Sequence, residues 1–168
     1  LSFFRVYSGR VSTGVDLYNT SRSQNERFGQ LFIMNGKDRS NIGELAAGDL
    51  GAVVKLKDTH NGNTLCGASL RVKLKKVVYP KPNIHAAIEI HSKGDEEKVA
   101  VGLSTLHEED PTFIYRVDSE VKQTIISGQG ELHLQVIHDR LKRRFNVDIN
   151  LKEPKIPYRE TIKDRKST

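Results

Sequence analysis

The chain has 168 residues, 36% of them hydrophobic and 29% charged, with a formal net charge of +6. No apolar run approaches the ~20 residues that span a bilayer, no secretory leader pattern opens the chain, and the single cysteine, Cys66, excludes a disulfide framework and fits a reducing compartment. The charge is uneven: residues 1–80 hold 12 Lys/Arg against 6 Asp/Glu and residues 81–168 hold 15 of each, a local excess that favours a polyanionic partner through counterion release.

The first 75 residues read as β-rich with glycine punctuation. Phe4-Arg5-Val6-Tyr7 alternates and meets Ser8-Gly9, and Val11–Val15 follows. Gln30–Met34 ends at Asn35-Gly36, a strong hairpin signal. Gly51–Lys57 is a further strand, closed by the turn-rich Asp58–Thr64. Strands of five or six residues spaced by turns predict a small closed β-barrel, because closure removes edge strands. Gly43–Ala47 holds the one hint of a helical period, too short to form a helix.

Pro80-Lys81-Pro82 marks a stiff linker, since proline fixes φ and drives the preceding residue toward extended conformations. Beyond it the pattern changes. Ala86–Ile90 reads as a strand. Asp95 precedes a helix with Val99, Leu103 and Leu106 on one face and Glu96 and Glu97 in its first turn. Pro111 follows its end, Phe113–Val117 and Gln123–Ser127 read as strands, and a second helix places Leu134, Ile137 and Leu141 together. Val147–Leu151 alternates as a last strand. The order is βαββαβ, a ferredoxin-like pattern in which two amphipathic helices cover one face of an antiparallel sheet. The domains expected are therefore 1–79 and 80–154, with 155–168 entering whatever follows.

The stretch Ser127-Gly128-Gln129-Gly130-Glu131-Leu132-His133-Leu134 invites chemical readings. His133 and His138 do not share a helix face, and one cysteine supplies no thiolate cluster, so no metal site is expected. Gly128-x-Gly130 lacks the Lys-Ser/Thr pair of a phosphate loop, and Glu131 would repel an anion there. Ser127, His133 and Glu131 have no nucleophile elbow around them. His133 reads better as a partly buried, hydrogen-bonded helix residue than as a catalytic one. The basic helix end, Arg140 and Lys142-Arg143-Arg144, reads either as a solvated face complementing the helix dipole or as a phosphate dock.

Several stretches carry a family resemblance. "SGQGELHLQVIHDRLKRRFNVDI" (127–149), with "EEDPTF" (108–113) and "QTII" (123–126), resembles the third domain of bacterial elongation factor G. "RVYSGRV" (5–11), "AGDLGAVVKLKDTHNGNTLC" (47–66) and "YRETI" (158–162) resemble its second domain and the entry to its fourth. The resemblance implies a translation-type β-barrel before the ferredoxin-like domain, within a cytoplasmic GTPase that moves tRNA and messenger RNA through the ribosome. It further implies that this chain is a piece of a longer protein, non-catalytic by itself. GTP and magnesium would bind in the GTPase domain, with no cofactor or metal here. The implied partners are small-subunit rRNA and protein and the parent's GTPase and tip domains, with no membrane and no DNA. Arg10, Arg22, Arg27 and Arg39 are then the candidate rRNA contacts. Asp110, Pro111, Thr112, His133, Ile137 and Arg140 are candidates for the interdomain surface beside which fusidic acid wedges.

The chain departs from the family at Gln129, usually methionine, at Asp118–Lys122, usually a Glu-Thr-Gly turn, and at Lys152–Pro157. A ribosomal protection protein or a divergent paralogue is therefore an alternative parent. A stand-alone RNA-binding module on the ferredoxin-like sheet would need exposed aromatics on its strands; Phe113 and Tyr115 are expected to be buried instead.

Overall fold

The computed structural model describes residues 1–90 and 94–160. Contacts divide the chain into two compact units, Leu1–Val77 and Val78–Thr168. The break falls just before Pro80 rather than at it. The segment expected to enter a next domain forms no helix or strand through residue 160, and Thr161 to Thr168 lie outside the described residues.

Unit 1 holds nine short strands: β1 (Ser2–Arg5), β2 (Arg10–Ser12), β3 (Asp16–Asn19), β4 (Gln24–Arg27), β5 (Leu31–Asn35), β6 (Asp38–Ile42), β7 (Glu44–Ala46), β8 (Leu50–Val53) and β9 (Leu65–Cys66). They form three antiparallel sheets, β1-β8-β5-β6, β2-β7 and β4-β3-β9. All three feed one core, in which Val6, Val11, Phe28, Leu31, Leu45 and Val53 are buried with Phe4, Leu17, Ile42 and Leu65 packed against them. Backbone bonds bridge the seams: Thr13 N–H donates to Gly43 O (2.9 Å) and Phe28 N–H to Val15 O (2.8 Å). This is the expected barrel, assembled from shorter pieces. Gly51 fits inside because a Cβ there would lie 2.3 Å from Leu45 Cδ1 and 2.8 Å from the Phe4 ring.

Two local readings change. The helical hint at Gly43–Ala47 is strand β7, whose Leu45 is buried against β2. The strand read through Lys57 stops at Val53, because the chain turns at Lys55, whose φ is +63°.

Unit 2 follows the predicted order: β10 (Ile84–Ile90), α1 (Glu96–Glu109), β11 (Ile114–Asp118), β12 (Gln123–Gly128), α2 (Glu131–Phe145) and β13 (Ile149–Lys152). Its antiparallel sheet has the order β11-β12-β10-β13. Val99, Leu103 and Leu106 of α1 and Leu134, Ile137 and Leu141 of α2 are buried against Ile88, Phe113, Ile126 and Ile149. Those two stripes repeat at helical spacing, which is why both helices lie on one sheet face. Gly102 permits their close approach: a Cβ there would sit 2.6 Å from Leu141 Cδ2.

The β11–β12 turn is closed by Asp118, whose Oδ1 accepts from the backbone N–H of Glu120 (3.0 Å) and Val121 (3.3 Å). Lys122, which leads out of this turn into β12, is held at φ +50°. A side chain in that left-handed region costs about 1 kcal/mol. Lys122→Gly should therefore raise the stability of unit 2 by roughly 0.5–1 kcal/mol in urea unfolding. A loss of stability would contradict the strain assigned to this turn.

Candidate functional site

In unit 2 the turn after α1 is tied to the start of α2. Asp110 Oδ1 accepts from the Thr112 backbone N–H (2.9 Å) and hydroxyl (2.6 Å). Asp110 Oδ2 lies 3.0 Å from His133 Nε2. The other ring nitrogen, Nδ1, accepts from the Gln129 backbone N–H at 3.1 Å. That bond fixes the tautomer: Nε2 carries the proton and donates to Asp110. Gly128 allows the ring this close, since a Cβ there would meet His133 Nδ1 at 3.1 Å and Leu134 Cδ2 at 2.9 Å.

Burial works to raise the Asp110 carboxyl, but the Thr112 hydroxyl and backbone bonds, with His133, outweigh it and hold the pKa below the usual carboxylate range. Arg144 likewise holds Glu109 below its ordinary value, against the effect of burial. Its two guanidinium nitrogens donate to the two carboxylate oxygens at 2.6 and 2.8 Å, joining the ends of α1 and α2. A carboxylate with a depressed folded pKa adds stability above its unfolded pKa and loses it as pH falls through the folded one. Asp110→Asn should thus flatten the acid limb of unit 2's stability below about pH 4. An acid limb identical to that of the unsubstituted chain would contradict this.

Not every sequence candidate lies on this surface. His133 and the Asp110-Pro111-Thr112 turn are brought together, and Arg140 is exposed. Ile137 is wholly buried in the unit's own core and presents nothing to a partner. It shares a helical stripe with His133 and Arg140, but the middle of that stripe points at the sheet. The second basic group is partly used up: Lys142 reaches Asp148 (3.3 Å) and Arg144 is held by Glu109, whereas Arg143 is exposed. Ser127, weighed as a nucleophile, sets its hydroxyl 2.8 Å from His85 Nδ1 across β12 and β10, not near His133.

The four arginines of unit 1 are engaged to different degrees. Arg10 pairs with Glu44 at 2.7 Å. Arg22 grips Asp58 with Nε at 2.9 Å and a terminal nitrogen at 2.7 Å. Arg27 faces Asp16, its cross-strand partner, at 3.7 Å. Arg39 has no carboxylate within ion-pair distance among the described residues and lies 5.9 Å from the Phe32 ring centroid. The exposed single contacts of Arg10 and Arg27 are worth little and open readily to a competing phosphate, whereas the two-point grip of Arg22 on the half-buried Asp58 holds more firmly.

Sequence reasoning missed a buried polar cluster in the same unit. Glu26, the inward residue of β4, accepts from the backbone N–H of Lys57 (3.1 Å) and Asp58 (2.6 Å) and from the Thr59 hydroxyl (3.0 Å). Asn19 beside it accepts from the backbone of Ser21 and Arg22 and donates to Asn63 Oδ1 at 3.0 Å. Together they pin the 57–64 loop onto the barrel. The available signal was the loop itself: a Thr-His-Asn-Gly turn needs acceptors for its amides.

At the start of α2 the Gln129 amide is already bound to His133 and the first turn carries Glu131, so these residues do not fit a GTP phosphate. No cluster of three metal-ligating side chains occurs among the described residues, and no helix among them is long and apolar enough to cross a membrane.

Comparison with known proteins agrees with this architecture unit by unit. Residues 1–68 match the family described as elongation factor G domain 2, and residues 79–153 match elongation factor G, domain III. A crystal structure from Thermus thermophilus is similar over 96% of this chain at 31% identity with a TM-score of 0.82. The chain spans 24% of the length of that protein. Both matches follow in order along one chain, one on each unit, and the chain accordingly belongs to the elongation factor G family, of which it carries domains 2 and III.

Proposed function

We propose that the chain is the non-catalytic middle part of a ribosomal translocation GTPase in the cytoplasm. Unit 1 docks on the rRNA of the small subunit. Unit 2, through the surface around Asp110 and His133, passes the state of a GTPase domain to tip domains during movement of tRNA and messenger RNA. GTP and magnesium would belong to that GTPase domain. A ribosomal protection protein or a divergent paralogue would use the same docking. The reading rests on the ordered pair of family matches, and the uneven charge supports it, since the +6 excess resides in residues 1–80. The alternative of an RNA-binding module on the unit 2 sheet is disfavoured because Phe113 is fully buried and Tyr115 packs against the same core.

Phosphate contacts fix position without reading sequence, and each releases counterions. With Arg10, Arg22, Arg27 and Arg39 all replaced by alanine, sedimentation of the chain with small ribosomal subunits over a salt series should weaken. Its log–log salt dependence should flatten by about 0.7–0.9 per lost contact. An unchanged slope and affinity would move the basic contact to Arg140 and Lys142–Arg144.

A further inference from the structure

The outer face of the β1-β8-β5-β6 sheet differs from an ordinary solvated face. Register places Phe3 opposite Ala52, Ala52 opposite Phe32 and Phe32 opposite Asn41, in one row across all four strands. Alternation puts this row on the side away from the core, since the neighbouring row contains Val53 and Leu31, both fully buried in it. The next rows of the outer side pair Arg5 with Leu50 and Met34 with Arg39.

Phe3 is 70% exposed and Leu50 69%. Ala52 is wholly covered and Phe32 is half-buried, so the two phenyl groups, on strands about 9–10 Å apart, flank a closed floor with the Phe3 ring standing further into solvent. No carboxylate belongs to these rows, and neither Arg5 nor Arg39 has one within ion-pair distance among the described residues. Arg39 lies within cation–π range of Phe32, and Arg5 lies 5.8 Å from the centroid of the Tyr7 ring, which is itself 71% exposed.

We infer that this face is a stacking platform for unpaired nucleobases of an RNA strand. Exposed aromatic rings offer every base a π-face regardless of sequence, and flanking arginines meet the backbone phosphates. A duplex keeps its bases stacked on each other and cannot use the rings. The inference rests on the reading of unit 1 as the RNA-facing part of the chain and adds which feature of RNA it takes: a single-stranded segment, held by ring stacking as well as by charge.

The test is fluorescence anisotropy of a labelled oligo(U) strand of about 12 nucleotides, within the site sizes of single-strand binders, and of a blunt RNA duplex, with the full 168-residue chain over a salt series. The single strand should bind more tightly than the duplex. Phe3→Ala and Phe32→Ala should each weaken it about tenfold while leaving the salt slope unchanged, because no phosphate contact is removed. Phe3→Tyr, which keeps the ring, should bind like the unsubstituted chain. Melting curves of all variants should coincide within a few degrees, since neither ring belongs to the buried core. Alanine variants that bind the strand normally, or that lose self-association instead of RNA binding, would overturn the platform. A chain that sediments with small subunits yet ignores both RNAs would overturn the platform alone; one that does neither would overturn the docking reading with it.

Discussion

Phe113→Ala should destabilise unit 2 by about 3–5 kcal/mol, the range for deleting a buried phenyl side chain. Phe113 is fully buried among Leu103, Leu106, Ile126, Leu134 and Ile137. Its ring meets that of His133 edge-on at 6.4 Å, and its carbonyl accepts from His107 Nδ1 at 2.6 Å. The cavity would open where the turn after α1, the sheet and α2 converge, and none of these elements can collapse without moving another. The cores of the two units share no residue. Thermal unfolding should therefore show the unit 2 transition shifted down and the unit 1 transition left in place. A single transition shifted as a whole would show that the units unfold as one, and a loss below about 1 kcal/mol would contradict the packing assigned to Phe113.

The second large effect is expected at Glu26. A buried carboxylate is ordinarily a liability, but this one has three donors. Burial works to raise its pKa, yet the backbone bonds from Asp58 and Lys57 and the Thr59 hydroxyl prevail and lower it, so the ionised form is the one the site accommodates. Glu26→Ala strands two backbone amides and a hydroxyl, each unpaired buried group costing about 1–3 kcal/mol. Some of that cost is recovered as water enters. A loss of about 2–4 kcal/mol from unit 1 follows, with faster amide exchange at Lys57 and Asp58. Glu26→Gln keeps one acceptor oxygen but turns an amide donor toward other donors, and should fall between. An alanine variant as stable as its parent would mean that the 57–64 loop is anchored by Asn19 alone.

These two residues also mark the limits of what the sequence makes legible. Phe113 was readable: it begins a run of alternating residues behind a helix whose stripe of Val99, Leu103 and Leu106 repeats at helical spacing, so two periodicities point at one core. Glu26 was not. Strands β3, β4 and β6, Asp-Leu-Tyr-Asn, Gln-Asn-Glu-Arg and Asp-Arg-Ser-Asn-Ile, lack the alternation that announces a strand, and on β4 the residue facing inward is the charged one. In a barrel built of such short strands no piece buries more than two side chains and β1, β6 and β9 bury none completely, so backbone pairing fixes the rest.

The candidate site was legible in outline through the resemblance and blurred in its details. Ion pairs such as Arg10 with Glu44 and Arg22 with Asp58 join residues 34 and 36 positions apart. Ile137 shares a stripe with His133 and Arg140 on any helical projection, and only the sheet beneath α2 shows that its middle is core. The aromatic row of the barrel's outer face likewise needs strand register, since Phe3 and Phe32 are joined only through Ala52.

The most direct test of the docking role is chemical probing of rRNA in intact ribosomes with and without the 168-residue chain, in parallel with the variant lacking Arg10, Arg22, Arg27 and Arg39. The account predicts a compact set of protected small-subunit nucleotides that appears with the chain and fades with the variant. Protection confined to the large subunit, or none at concentrations where the chain cosediments with ribosomes, would contradict it.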